Sequence, residues 1–177
     1  MIKYRRDLWR VVKVPGDAAE IGVAEGLFGA DILSWSLNFP RVYLVDRWCC
    51  VSSVKGDSSN SQSWHDKNFK EAVTRMEKFG NRAVFLRGNS DEMSKLVPDR
   101  SLAFLNIDGD HSYEGVTRDL AFWRPKMVAG GVIAFHDYEA PQYGVKPAVL
   151  EFAFTHGYRV HLLPEDKRDD AGAYIVV

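Results

Sequence analysis

Residues 101–137 read SLAFLNIDGDHSYEGVTRDLAFWRPKMVAGGVIAFHD, two apolar β-rich runs separated by an amphipathic segment of helical length. This order predicts two parallel strands joined by a covering helix. The same alternation continues toward both ends of the chain. The candidate strands are AAEIGV (18–23), RVYLVD (41–46), RAVFLR (82–87), SLAFLNID (101–108) and GVIAFHD (131–137). The sequence therefore predicts an α/β fold with a mainly parallel sheet.

The predicted helices lie between and after these strands, at 27–37, 66–79, 91–96, 114–127 and 145–155. The tail differs, because GYRVHLL (157–163) and AGAYIVV (171–177) are joined by the charged turn PEDKRDD (164–170). That pattern predicts a final antiparallel hairpin. The segment VSSVKGDSSNSQS (51–63) has little to bury, and we expect a mobile surface loop there.

Length and composition favour one domain spanning residues 1–177, since the chain is 46% hydrophobic and shows no linker or repeat. A net charge of -1, from 23 basic and 24 acidic side chains, indicates neither a nucleic-acid nor a membrane partner. The start MIKYRRDLW lacks the apolar block of a secretion signal, so we expect a cytoplasmic protein. The neighbours Cys49 and Cys50 are interpreted as reduced thiols.

A glycine-rich turn follows the first predicted strand, in EIGVAEGLFG, with Glu20, Gly22 and Gly26 at the strand-to-helix junction. Glycine lets backbone approach a ligand closely, and the following helix start offers free N–H groups. The turn departs from the dinucleotide pattern GxGxxG, because Ala24 replaces a glycine. Glu20 would repel a pyrophosphate but would suit a cofactor that carries an ammonium group.

Polar residues also follow the second and third predicted strands. Asp46 ends VYLVD at about the offset where an acid reaches ribose hydroxyls, although it could simply cap the strand. Asn89 and Ser90 follow RAVFLR and could contact an adenine edge, or could form a turn and helix cap.

The densest group of ionisable residues follows the fourth and fifth strands. Asp108, Asp110 and His111 leave one strand, and His136 and Asp137 leave the next. Adjacent strands are ~4.8 Å apart, so these groups can converge on one ion. Such ligands suit Mg, Mn or Fe. Each residue also has a structural interpretation, as a turn former or a buried, hydrogen-bonded histidine.

Together EIGVAEG, the acidic end of VYLVD, IDGDHSYEGVTRDL and GGVIAFHDY resemble the class I methyltransferases. The nearest likeness is to the small metal-dependent O-methyltransferase branch that includes macrocin O-methyltransferase and cephalosporin hydroxylase relatives. It covers about residues 17–160. The resemblance implies a Rossmann-like three-layer sandwich, with a seven-stranded sheet and an antiparallel C-terminal hairpin, and S-adenosyl-L-methionine as cofactor.

The resemblance also implies roles for individual residues. Glu20, Gly22 and Gly26 would hold the methionine part of the cofactor, Asp46 would bind its ribose, and Asn89 and Ser90 would contact its adenine. A divalent metal would be bound by Asp108, His136 and Asp137. Asp108 would also border the cofactor. Relatives commonly carry two acids where this chain has His136 and Asp137. An imidazole there favours Mn or Fe over Mg.

The mechanism expected from this resemblance is methyl transfer to a hydroxyl of a small-molecule acceptor, with a metal lowering the hydroxyl pKa. His111 is the first candidate for general base, because histidine ordinarily titrates near neutral pH, and Asp110 is its rival. Tyr138 and Tyr143 could line the acceptor pocket. Acceptor selection is expected from the serine-rich loop, from YEAPQYGVK (138–146) or from a partner subunit, and a homodimer is plausible.

Two other functions fit parts of the sequence. The string DGD (108–110) is also the type of metal motif used by nucleotide-sugar glycosyltransferases, although the turn with Glu20 argues against that activity. The second alternative is a non-catalytic module that binds S-adenosylmethionine or S-adenosylhomocysteine. His136 favours this alternative, because relatives commonly carry an acid at that position.

Overall fold

Seven strands form one sheet in the computed structural model, which describes residues 2, 4–35, 39–51, 60–163 and 172–177. The strand order is β3-β2-β1-β4-β5-β7-β6. Strands β1 to β5 pair in parallel, whereas β7 runs antiparallel to both β5 and β6. The strands are β1 (Asp17–Ile21), β2 (Val42–Asp46), β3 (Ala83–Arg87), β4 (Leu102–Ile107), β5 (Met127–Phe135), β6 (His161–Leu162) and β7 (Ala173–Val176).

Helices cover both faces of the sheet and bury an apolar core on each side. They are α1 (Leu27–Ser34), α2 (Gln62–Met76), α3 (Ser90–Ser94), α4 (Tyr113–Trp123) and α5 (Val145–His156). On one face Ile32 of α1 and Met76 of α2 belong to the core, and on the other Leu120 of α4 and Ala148 of α5 do. This arrangement confirms the predicted three-layer α/β sandwich with its antiparallel C-terminal strands.

Two of the helix boundaries that differ from the predicted ones have a local cause. Helix α2 begins at Gln62 because the Ser61 side chain accepts a hydrogen bond from the backbone of Trp64, so the helix takes in the end of the predicted serine-rich loop. Helix α4 ends at Trp123, and the short 3-10 helix Arg124–Lys126, which contains a proline, follows it. Residues 52–59 of that loop and the predicted turn 164–170 lie outside the described residues.

An amino-terminal 3-10 helix, Arg5–Arg10, was not predicted from the sequence. Leu8 is fully buried and Val12 almost so, in the core that also contains Phe28 of α1. These contacts hold the amino-terminal segment against α1, and Arg5 is thereby fixed near the end of β4. Among the described residues, no helix is both long and apolar enough to cross a membrane.

Candidate cofactor and metal site

The cleft at the carboxyl ends of the strands lies where the strand order reverses, between β1 and β4. Gly22 follows β1 and donates a backbone hydrogen bond to Val45, while Asp108 donates one to Ile21. A Cβ on Gly22 would lie 1.9 Å from the carbonyl oxygen of Asp108, and Gly22 has a φ of +85°. Only glycine fits this position, because the turn after β1 touches the backbone that follows β4.

Glu20 lies under the glycine turn and is 2% exposed. Its Oε2 atom has no hydrogen-bond partner among the described residues. Burial, and then the negative charge of Asp108, raises the pKa of Glu20 well above its usual range, and Arg5 partly opposes this effect. A buried acid with an unmet oxygen at a strand end has the properties of a group that binds a cationic ligand.

Asp46 joins the first two turns of the cleft. Its carboxylate accepts backbone hydrogen bonds from Ala24 at 2.9 Å and from Trp48 at 2.8 Å, and the Trp48 indole donates to the carbonyl of Ala24 at 2.8 Å. Ala24 and Trp48 both have positive φ values, of 46° and 44°. Two such non-glycine residues at one site indicate that the surrounding contacts determine the shape of these turns. Each carboxylate oxygen keeps a lone pair for a further donor.

The residues predicted to contact adenine lie at the start of α3. Asn89 is exposed, and its side chain makes no capping hydrogen bond with the helix. The hydroxyl of Ser90 accepts a hydrogen bond from the indole of Trp123 at 2.7 Å and also bonds to Asp119. Ser90 therefore joins α3 to α4, while the Asn89 side chain is available to a ligand.

Asp119 is a buried acid that sequence reasoning missed. It is 3% exposed on α4, and burial raises its pKa to about 6. Its neighbour along the chain, Arg118, carries a charge that acts in the opposite direction but does not overcome burial. No sequence signal marked it, because an acid on a helix is usually exposed.

The raised pKa of Asp119 predicts a pH dependence of stability. The folded protein holds a proton that the unfolded chain releases above its ordinary pKa of 3.8, so the free energy of unfolding should fall as pH rises from about 4 to about 6. A shift of about two pKa units corresponds to about 3 kcal/mol. Asp119→Asn should therefore be more stable than the wild type at pH 7, by up to that amount, and equal to it near pH 4.

Urea unfolding of the wild type and Asp119→Asn between pH 4 and pH 7.5 measures this difference. Asp66→Asn, at an exposed acid of α2, is the matched control and should show no such divergence. A constant difference between wild type and Asp119→Asn across the whole range would contradict the prediction.

Four ionisable side chains meet at the ends of β4 and β5: Asp108, His111, His136 and Asp137. One potential ligand atom from each lies within 4.8 Å of all the others. The Nε2 atom of His111 is 3.4 Å from Asp108 and 3.3 Å from Asp137, and the Nδ1 atom of His136 is 3.0 Å from Asp108. These separations allow one divalent ion to contact all four side chains.

The charges of this cluster favour ionised acids. Burial alone would raise the pKa of Asp108, but contacts with His111 and His136, and the charge of Arg5, lower it well below its usual range. The pKa of Asp137 is lowered as well, because contact with His136 outweighs its burial. Asp137 also has a φ of 52°, a strained conformation for a non-glycine residue. Both carboxylates are therefore present as anions, the form that binds a metal.

His111 is held in place by the segment that follows β5. Its ring stacks on Tyr143 with centroids 4.7 Å apart, and its backbone carbonyl accepts a hydrogen bond from Gly144. Asp110, by contrast, accepts a hydrogen bond from the backbone of Ser112 and lies 3.7 Å from Arg118. The structure thus brings His111 into the cluster, and it places Asp110 at the start of α4, outside it.

Two further polar residues of the cleft were missed by sequence reasoning. The guanidinium of Arg5 donates a hydrogen bond of 2.8 Å to Asp108. Asn106, fully buried on β4, pairs in register with Glu20. Arg5 lies in a segment with no recognisable motif, and Asn106 interrupts an apolar strand. A polar residue within an apolar strand was the one sequence signal that could have identified Asn106.

Comparison with known proteins agrees with this geometry. The family model described as a methyltransferase domain matches residues 19–138. The chain belongs to the methyltransferase domain family. No curated protein matches the methyltransferase in sequence. Membership of this family confirms the predicted enzyme class and favours it over the glycosyltransferase alternative.

Solved structures show the same fold as this methyltransferase. The calicheamicin methyltransferase CalS11 has a TM-score of 0.70 at 19% identity, covering 96% of this chain and 76% of that one. The O-methyltransferase NovP has a TM-score of 0.69 at 24% identity, and the match covers 97% of this chain and 76% of NovP. The O-methyltransferase from Bacillus cereus, solved in complex with SAH, has a TM-score of 0.71 at 14% identity, and the match covers 97% of this chain and 78% of that enzyme. These likenesses confirm the Rossmann-like arrangement.

Proposed function

We propose that the protein transfers the methyl group of S-adenosyl-L-methionine to a hydroxyl of a small molecule, with help from a divalent metal. The observation that carries this proposal is the common location of two sets of residues. Glu20 and Asp46 lie at the ends of β1 and β2, and the four-residue cluster lies at the ends of β4 and β5, along one cleft. A cofactor held by the first set would present its methyl group toward the second.

The residues of the first three turns would hold the cofactor. Glu20 offers a buried carboxyl oxygen to its ammonium group, and Gly22 and Gly26 let its methionine portion approach the backbone. Asp46 has lone pairs left for the two ribose hydroxyls. Asn89 would contact the adenine edge with a side chain that the helix does not use.

The cluster fits a divalent ion at Asp108, His136 and Asp137, because these residues supply two ionised carboxylates and one imidazole, and the Nε2 lone pair of His111 beside them is left for a proton. When bound, the ion supplies Lewis acidity that lowers the pKa of the acceptor hydroxyl. His111 is the proposed general base, since its Nε2 faces the cluster and its ring is fixed on Tyr143. Asp137 and Asp108 keep the ring oriented.

A hydroxyl acceptor is consistent with the structural neighbours. CalS11 is described as a TDP-rhamnose 3'-O-methyltransferase, and two other neighbours are described as O-methyltransferases. The acceptor would enter beside Tyr143, which is 40% exposed next to His111. An aromatic side chain at this position offers a flat apolar surface to a sugar or an aromatic ring.

Calorimetry tests the cofactor assignment. The wild type should bind S-adenosylhomocysteine and S-adenosylmethionine but not UDP-sugars. Asp46→Ala should bind S-adenosylhomocysteine at least about tenfold more weakly, because two charge-assisted hydrogen bonds to the ribose are lost. Unchanged affinity in that variant would refute the ribose assignment.

The matched control is Asp99→Ala, which removes an exposed acid bound to Lys126 before β4, at the opposite end of the strands. Its affinity for S-adenosylhomocysteine should equal that of the wild type. Thermal unfolding of both variants shows whether the turns joined by Asp46 remain folded. Methyl transfer that requires added Mn²⁺ would exclude the non-catalytic alternative.

A further inference from the structure

Arg5 reaches into the cleft from the amino-terminal 3-10 helix. Its side chain is 13% exposed, and its guanidinium lies 4.0 Å from the ring centroid of Phe28, the second residue of α1. From there it donates to the Oδ2 atom of Asp108 at 2.8 Å. Its positive charge also lowers the pKa of Glu20. A mostly buried cation therefore lies between the start of α1 and the ends of β1 and β4.

Unmet hydrogen-bonding atoms lie beside this cation. The Oε2 atom of Glu20 has no hydrogen-bond partner among the described residues, and neither has the side-chain amide of Asn106. Both residues are almost fully buried, and their pairing in register places them on the same face of the sheet. Buried polar groups without partners are costly, so their presence beside a cleft points to a ligand that supplies the missing partners.

The ligand implied by these charges is a zwitterion. A free amino acid group carries an ammonium and a carboxylate, separated by one carbon atom. Glu20 provides a buried carboxyl oxygen that can accept from the ammonium, whose charge favours the ionised acid, and Arg5 provides a positive, fork-shaped group that matches a carboxylate. The start of α1 beside Phe28 has no side-chain cap, so its first backbone N–H groups and its dipole favour the same anion.

We propose that Arg5 binds the α-carboxylate at the amino-acid end of the cofactor, opposite Glu20. The inference rests on the proposed function, since it assumes S-adenosylmethionine in the cleft. A metal ion held by Asp108 would compete with Arg5 for that carboxylate, and the cofactor carboxylate would then give Arg5 another partner.

The experiment compares two ligands that differ only in the carboxylate. They are S-adenosylhomocysteine and its decarboxylated form, 5′-deoxy-5′-(3-aminopropylthio)adenosine, titrated by calorimetry without metal. The wild type should bind S-adenosylhomocysteine at least about tenfold more tightly than the amine, as expected for a charge-assisted bidentate pair. In Arg5→Gln this ratio should fall to about threefold or less, with affinity for the amine changed by less than about twofold. Arg5→Lys, which keeps the charge, should retain an intermediate ratio.

The matched control is Arg10→Gln, which removes an exposed arginine of the same 3-10 helix. It should keep the wild-type ratio. The inference is overturned if the wild type binds both ligands equally, if Arg5→Gln keeps the full preference, or if Arg5→Gln weakens both ligands by the same factor. A wild type that binds neither ligand overturns the proposed function itself. If Arg5→Gln does not fold, the wild-type ratio and the ratio in Arg5→Lys decide the question.

Discussion

Asp108→Asn should reduce Mn²⁺ affinity by about a hundredfold or more and abolish metal-dependent methyl transfer, since the loss of a ligand exceeds the ten- to hundredfold effects typical of outer-shell partners. Asp108 contacts both histidines of the cluster, and its lowered pKa keeps it anionic. Asparagine preserves the shape of the side chain but removes the negative charge that would bind the proposed ion. Calorimetry with Mn²⁺ measures the effect directly, independent of the acceptor.

Asp110→Asn is the control for this substitution, because it makes the same chemical change two residues away. The Asp110 carboxylate bonds to Ser112 and lies outside the cluster. This variant should bind Mn²⁺ as the wild type does. Equal Mn²⁺ affinity in wild type and Asp108→Asn would remove Asp108 from the ligand set.

Gly22→Ala should destabilise the protein by at least about 3 kcal/mol, from the cost of a side chain in a left-handed conformation and the cost of overpacking. A Cβ at this position would lie 1.9 Å from the carbonyl oxygen of Asp108 and 2.4 Å from its carbonyl carbon. Both atoms belong to backbone, so no side-chain rotation relieves the contact. Urea unfolding measures the loss of stability, and we expect binding of S-adenosylhomocysteine to be lost with it.

Gly157→Ala separates the two contributions. Gly157, which follows α5, also has a positive φ, of 71°, but a Cβ there would meet nothing within 4 Å. That variant should lose only about 1–2 kcal/mol, the cost of a side chain in a left-handed conformation. If the two variants lose equal stability, the contact between Gly22 and Asp108 is not the source of the effect.

The order of the elements could be predicted from the sequence because each strand of the parallel sheet is a short apolar run between glycine-rich or polar turns. Strand β4, for example, is buried at every position, as the run LAFLNI predicts. Helix ends were predicted less well, since they depend on single caps. The Ser61 hydroxyl caps α2, so the helix begins at Gln62, whereas the apolar pattern predicted a start at residue 66.

The candidate site was predictable where its residues follow strands directly. The sequence placed Asp108 and Asp137 at neighbouring strand ends, and topology brings them together. Arg5 could not be predicted, because its position depends on the packing of Leu8 in the same core as the buried residues of α1. Asp119 could not be predicted either, since an acid on a helix is usually exposed and its burial follows from tertiary contacts.

The location of each turn within the sheet sets how firmly each end of the cleft is held. Strand β3, which leads to Asn89, is an edge strand of the sheet and has mostly half-buried side chains, whereas β5, which leads to His136, lies between β4 and β7. An edge strand opens locally at lower cost than a strand paired on both sides. Under the proposed function, the end of the cleft assigned to the nucleobase would therefore open locally at lower cost than the end assigned to methyl transfer, which is carried by strands paired on both sides.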